Sequence, residues 1–183
     1  MEFPILQTDR LKLVEITEDH INHVYSIFFD ERVTKYYGMD HFIEVQQAVN
    51  LVNSFQKNFQ EKRSIRWGIT LKETEEFVGT IGLNNLQTAS KKAEIGYDLN
   101  PEYWRRGIIS EAAKAVIHYS FDELDLYRIG AVTFPENEAS YKLLLTLGFQ
   151  REGLLRGYIY QNDKSNDAYI FSVVRPDWND SES

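Results

Sequence analysis

The stretch from Ala93 to Phe121 constrains this chain most, because it changes structural period around one short basic loop. Ala93-Glu94-Ile95-Gly96-Tyr97-Asp98-Leu99 reads as a strand closed by the turn pair Asn100-Pro101. Ile109, Ala112, Ala113, Val116, Ile117, Ser120 and Phe121 then recur at helical spacing, with Lys114 and His118 off that face. Tyr103-Trp104-Arg105-Arg106-Gly107-Ile108-Ile109-Ser110 lies between them. A strand that passes through such a loop into a helix ends on unpaired amides and the positive end of a dipole, which favour an anion. Gly107 permits close backbone approach, and Arg105 and Arg106 add charge and forked donors. An ordinary β-to-α turn with exposed arginines satisfies the same pattern, since one glycine is a weak phosphate signal.

The rest of the chain surrounds this unit with an α+β pattern. Leu11 to Ile16 alternates as a half-buried strand; Thr17 then caps a helix through Ile21, Val24, Tyr25 and Phe28. A second helix covers Ile43 to Phe59. Ser64 to Leu71 and Phe77 to Leu86 form a hairpin about the charged turn from Lys72 to Glu76. The strand from Leu126 to Thr133 returns parallel to the Ala93 strand, with the Ile109 helix as its crossover. Ligands of such sheets sit beyond the carboxyl ends of parallel strands, so the site is expected between those two ends. A further helix opens at Pro135-Glu136-Asn137-Glu138-Ala139-Ser140, buries Leu143, Leu144 and Leu147, and stops at Gly148. Asn137 suits its N-cap, and Ser140 points inward, where back-bonding to its own helix is the plain explanation. Phe149 to Tyr160 and Ala168 to Val174 read as an antiparallel pair joined through Gln161 to Asn166, and the polar tail from Pro176 is expected to fray. No linker or repeat interrupts this order, so one domain is expected across residues 1–183.

Composition narrows the function. Without cysteine the chain has no disulfide, thiolate ligand or cysteine nucleophile. No apolar run reaches the roughly 18 residues of a spanning helix, and Met1-Glu2-Phe3-Pro4 does not begin a signal peptide, so a cytoplasmic protein without membrane contact is expected. A net charge of −8 argues against nucleic acid and is compatible with a cationic amine. His20 and His23 could face one another on a helix, but His41 and His118 join no carboxylate cluster, so no metal site is expected. A Gly-x-Ser-x-Gly elbow is absent, and no Gly-Lys-Ser/Thr follows Gly107, which excludes a serine hydrolase and a phosphate-binding loop of NTPases.

Tyr-Trp-x-x-Gly-x-x-Ser-Glu-Ala after Ala-Glu-Ile-Gly-Tyr resembles the acetyl-CoA loop of GNAT N-acetyltransferases, closest to the branch that acetylates ribosomal-protein N-termini. Thr8-Asp9-Arg10-Leu11, Val33 to Gly38, Asn137-x-x-Ser140 with Leu147-Gly148-Phe149, Arg151-Glu152-Gly153, Arg156 and Asp167 extend the resemblance from Leu6 to Val174. Trp104 stands where the family carries Gln or Arg, Gly107 matches, and Ile109 replaces a Gly or Ala, which bears on affinity because its β-branch restricts approach. The resemblance implies a central mixed, mostly antiparallel sheet, with a parallel pair at the acetyl-CoA site and helices on both faces. It places the diphosphate on Arg105, Arg106, Gly107, Ile108, Ile109 and Ser110, the pantetheine arm on Asn137, and the thioester sulfur near Ser140. Helices near the N-terminus would shape the acceptor pocket.

Acetyl transfer to an amine needs a neutral amine, donors for the developing oxyanion and a proton for the departing thiolate. Glu94 is the candidate base, directly or through water, with a surface glutamate on a strand as the plain alternative. Ser140 is the candidate acid, with Tyr97 the alternative. Gly96 suggests a bulge or a close backbone approach, and a bulge would free an amide at Ile95 or Tyr97 for the oxyanion. At pH 7 a neutral amine costs roughly 1.4 kcal/mol for an N-terminus but over about 4 kcal/mol for lysine. One base contributes about 10²–10⁴-fold, so a peptide or ribosomal-protein N-terminal amine is favoured over a lysine side chain. Polyamines and other small amines fit the same arithmetic, a catalytically silent acyl-CoA-binding domain is the reading that Ile109 favours, and a homodimer is left open.

Overall fold

The computed structural model describes residues 2–178. Its strands are β1 (Leu6–Gln7), β2 (Leu11–Glu15), β3 (Ile65–Leu71), β4 (Phe77–Gln87), β5 (Lys92–Leu99), β6 (Arg128–Thr133), β7 (Gln150–Gln161) and β8 (Lys164–Val174). The helices are α1 (Ile21–Phe29), α2 (Glu31–Thr34), α3 (Val45–Gln60), α4 (Ile108–Asp122) and α5 (Glu138–Thr146). The strands form one sheet in the order β1-β2-β3-β4-β5-β6-β8-β7, antiparallel throughout except for β5 beside β6. Among the described residues, no helix is long and apolar enough to cross a membrane.

Two apolar clusters hold the layers together. Val116, Ile117 and Phe121 of α4 and Leu144 of α5 pack with Trp67, Ile81, Ile95, Ile129 and Phe171 from the sheet. Val24 and Phe28 of α1 and Ala48 and Val52 of α3 form the second cluster with Ile16 and Phe77. Side chains alternate along a strand, so Ala93, Ile95, Tyr97 and Leu99 share the α4 side of β5. Glu94, Gly96 and Asp98 therefore share its other side.

Three local features differ from the sequence reading. The first helix begins as a 3-10 turn, Glu18–His20, in which Thr17 N–H donates to His20 Nδ1 at 3.0 Å. Gln161 to Asn166 is not a loop: Gln161 pairs with Lys164, and Asn162 and Asp163 turn the chain with φ of 52° and 57°. Two consecutive positive φ values match the right-handed twist of a two-residue hairpin, which Asn and Asp tolerate. Arg175–Asp177 forms a 3-10 turn that seats Trp178 against Phe121 and His118; of the tail expected to fray, residues 179–183 lie outside the described residues.

Candidate active site

β5 and β6 are paired only at their start. The parallel register runs Lys92↔Arg128, Ala93↔Ile129 and Glu94↔Gly130, and then stops, while β5 continues to Leu99 and β6 to Thr133. Beyond Glu94 the strands part, and one edge of β5 loses its backbone partners. Gly96 pairs in register with Gly82, so the expected bulge is not there; the irregularity lies on β4 between Asn84 and Gln87, where Asn85 has φ 48°. The amides expected from a bulge are freed instead by the parting of two strands. A cleft of about 350 Å³ fills the opening. Its walls include Ile95, Tyr97, Thr133, Asn137 and Ser140 on the α5 side, and Phe55, Arg66, Asn84 and Glu94 on the α3 side.

The loop before α4 is built as an uncapped helix start. Gly107 is the N-cap with φ 72° and ψ 13°, and among the described residues no side chain caps the helix. The amides of Ile108, Ile109 and Ser110 therefore have no intrahelical acceptor. Trp104 Nε1 donates to the Leu99 carbonyl at 2.8 Å, which folds the loop back on the end of β5. Arg106 lies over the Tyr103 ring at 5.1 Å, while Arg105 is exposed at φ 62°. Ile109 packs against the main core, so its branched side chain turns inward. The support that Ile109 lent to a silent domain goes with that orientation. Thr8 and Arg10 explain the conspicuous Glu111: Thr8 Oγ1 donates to it at 2.6 Å, Arg10 N–H at 2.9 Å and Arg10 Nε at 2.6 Å. Arg10 Nη1 also donates to the Arg106 carbonyl at 2.9 Å, so the β1–β2 turn clasps the loop. These bonds hold the Glu111 carboxyl below its usual range against the opposing effect of its burial.

Across the opening the chemistry divides by face. Glu94 is half-buried on the α3 side and accepts from Asn85 Nδ2 at 3.2 Å. On the α5 side the Tyr97 and Ser140 hydroxyls meet at 2.6 Å. The two alternatives for the acid are thus each other's partner. Burial pushes the Tyr97 phenol up to about 12, with the Ser140 bond opposing, so it keeps its proton at neutral pH. Asn137 caps α5, its Oδ1 accepting from Ser140 N–H at 3.4 Å, and it still lines the cleft. Capping and arm-binding are compatible at this position.

Sequence reasoning missed a polar floor beneath the α3 side. Arg66 is only 6% exposed. Its Nη1 donates to the Gly96 carbonyl at 3.0 Å and its Nη2 to Asn84 Oδ1 at 2.9 Å, with the Phe55 ring 5.7 Å away. A Cβ on Gly82 would lie 2.8 Å from Arg66 Nε, so this glycine is what lets the guanidinium lie flat on the sheet. Asp98, 5% exposed, accepts from Thr80 N–H at 3.1 Å, from the Thr80 hydroxyl, and from Tyr37 at 3.2 Å. Burial pushes its carboxyl up to about 6 against those bonds and the Arg66 charge. The segment carrying Tyr36 and Tyr37 is pinned by Gln161, which donates to the Thr34 and Met39 carbonyls at 2.6 and 3.0 Å and accepts from Gly38 N–H at 2.8 Å. Glycines inside strands were the available signal for the floor, because they mark close approach of another group.

A long ligand with an anionic end and a polar arm fits this geometry. The helix start would take the anion, the open β5 edge and Asn137 would take the arm, and the buried Thr133 Oγ1 has no partner among the described residues. Proteins that thread an acyl-CoA between parted parallel strands form the class defined here. The acetyltransferase (GNAT) domain matches residues 10–150, and the chain belongs to that family. The uncharacterized N-acetyltransferase YoaA of Bacillus subtilis is 47% identical over 174 residues, 95% of this chain and 98% of that protein. The ribosomal-protein-serine acetyltransferase of Escherichia coli is 24% identical over 178 residues, 91% of this chain and 94% of that protein. Among solved structures, the ribosomal L7/L12 α-N-protein acetyltransferase RimL, in complex with coenzyme A, superposes with a TM-score of 0.81 at 18% identity, covering 93% of this chain and 98% of that one. A Vibrio cholerae spermidine N-acetyltransferase, solved with CoA and spermine, also gives 0.81, at 17% identity and the same coverage. At those identities the two structures share the fold. The protein is a GNAT-type N-acetyltransferase with acetyl-CoA as its donor.

Proposed function

We propose that the acceptor is the N-terminal amine of a protein or peptide, of the ribosomal-protein type, and that Glu94, Tyr97 and Ser140 carry the transfer. The observation behind this reading is the division across the parted strands, with a carboxylate on one face and the hydroxyl pair on the other. Acetyl-CoA, when bound, supplies the acetyl group as a thioester. Glu94 takes the proton of the incoming ammonium, directly or through one water, and leaves a neutral amine facing the opening. The open edge at Ile95 and Tyr97 donates to the oxygen on which charge develops. The Tyr97–Ser140 pair passes a proton to the departing sulfur and is restored, through water, by the second proton that the nitrogen releases as the amide forms. Arg105, the Gly107 backbone and the amides of Ile108, Ile109 and Ser110 hold the diphosphate, with Arg106 reinforcing the loop through Tyr103.

The make-up of the α3 wall favours an N-terminal amine over a polyamine. Glu94 is the one acid in the cleft lining and it stands with a guanidinium, whereas a polyamine brings further ammonium groups that need carboxylates. The E. coli relative's name points the same way. A cytoplasmic setting suits such a substrate. Thiol release from acetyl-CoA with Ala- and Ser-terminated peptides, lysine-only peptides with blocked N-termini, and spermidine tests the assignment. N-terminal peptides should be fastest; spermidine outpacing all of them would overturn it.

A further inference from the structure

We infer that Arg66 is a recognition residue for the acceptor, reading an oxygen held next to the reacting amine, so that the substrate class is aminoacyl: an amine whose neighbouring carbon bears a carbonyl. The inference rests on the amine-acetylating reading above and narrows it. Three observations carry it.

The first is an unspent cation. A guanidinium has five N–H donors; among the described residues one on Nη1 and one on Nη2 are used, and Nε has no partner. No carboxylate among the described residues forms a salt bridge with Arg66; Asp98 acts on it through space while its own oxygens serve Thr80 and Tyr37. A buried cation without a contacting anion is costly unless a ligand completes it. The second is rigidity. The glycine floor, Asn84 and Phe55 fix the guanidinium plane, so an oxygen arriving in the cleft meets preset donors on Nη1 and Nη2. The third is spacing. Asn84 pairs with Glu94 across the strands, and a Cβ on Gly96, two residues along from Glu94 on the same face, would lie 3.5 Å from Arg66 Nη2. Two residues of strand span about 6.6 Å. Amine and carbonyl oxygen of an aminoacyl group are about 3 Å apart, so with a hydrogen bond of about 2.9 Å at each end the group has the reach to span from Glu94 to Arg66.

Such a contact also bears on selectivity, because the guanidinium repels the second ammonium of a polyamine. Peptide N-termini and free amino acids share the aminoacyl chemistry, and they differ in whether the oxygen is an amide carbonyl or a carboxylate.

The test compares kcat/KM for alaninamide, an Ala-terminated peptide, free alanine, propylamine and spermidine in wild type, Arg66→Met and Arg66→Lys. Unchanged acetyl-CoA affinity and thermal unfolding identify folded variants. Wild type should favour the aminoacyl amines over propylamine, and Arg66→Met should lower kcat/KM for them roughly 10- to 100-fold, the range of a hydrogen bond to a charged group, while propylamine changes less than about threefold. Arg66→Lys should recover part of the loss. Free alanine ahead of alaninamide would assign the oxygen to a carboxylate; the reverse would assign it to a peptide carbonyl. Equal losses on propylamine and alaninamide, or a wild type indifferent to the carbonyl once rates are referred to the neutral fraction of each amine, would overturn the inference, and that wild-type comparison can overturn it even if both variants fail to fold. Calorimetric binding of alaninamide to the CoA-loaded protein gives the same contrast without turnover. Arg66-dependent binding with no transfer would refute the acceptor chemistry proposed above and leave Arg66 as the reader of the oxygen.

Discussion

Gly107→Asp is the most informative change to the donor site. Gly107 sits at φ 72°, and a Cβ there would meet only Arg10 Nη2, at 3.5 Å, so the folded protein has room for a side chain. The backbone penalty of a non-glycine residue in that region is roughly 1–2 kcal/mol. A carboxylate at a helix start returns about 0.3–1 kcal/mol, so the variant should fold. Binding is another matter. A carboxylate about 4 Å from a phosphate is repelled by about 1 kcal/mol in water and about 4 kcal/mol at a protein surface, and acetyl-CoA brings two phosphates to the loop. The affinity measured by calorimetry should fall at least about 30-fold. Gly107→Asn carries the same backbone strain and nearly the same volume without the charge, and should lose clearly less. A folded Gly107→Asp protein with wild-type affinity, or an Asn variant as impaired as the Asp variant, would refute the placement of the diphosphate.

Ser140→Ala and Tyr97→Phe should each lower kcat, by roughly 10²-fold if the pair delivers the proton, with little change in acetyl-CoA KM. Because the two hydroxyls touch at 2.6 Å, the double variant should be hardly worse than either single one; additive losses in steady-state kinetics would mean they act independently. Asp98 should leave a mark on stability. Its folded pKa, about 6, is raised above the ordinary carboxylate value, so the folded state holds more protons between about pH 4 and 6 and the contribution of Asp98 falls as pH rises through that window. The loss is at most about 3 kcal/mol. Denaturant titrations of wild type and Asp98→Asn should therefore show the variant gaining on wild type from pH 4 to pH 7, and a constant difference would contradict the raised value.

What the sequence made legible was local. The strand ending at Leu99, the helix from Ile108 and the glycine between them follow from periodicity and turn chemistry, and so do the inward Ser140 and the stop at Gly148, whose φ is 88°. Contacts between distant segments were not legible. Tyr97 and Ser140 could each be named from their own elements, but nothing in either segment shows that they meet across 43 positions. The clasp of Thr8 and Arg10 on Glu111 is hidden for the same reason. Gly96 was visible as an unusual strand residue, yet a strand glycine can mark a bulge or a close neighbour, and here the neighbours are Asn84 Nδ2, 3.0 Å from where a Cβ would lie, and then Arg66 Nη2. Arg66 escaped notice because β3 is buried on both faces, which removes the alternation that would have assigned its side.

Glu94 is central to the proposed transfer, and the most direct measurement is the single-turnover rate of Glu94→Gln with saturating acetyl-CoA and an Ala-terminated peptide, followed from pH 6 to 9. Gln keeps the shape and the contact with Asn85 but cannot take a proton. The rate at pH 7 should fall by about 10²–10⁴-fold, and the deficit should shrink toward pH 9, where the α-amine, with a pKa of about 8, is already neutral. A variant as fast as wild type at pH 7, or one whose deficit stays the same across that range, would remove Glu94 from the proton transfer.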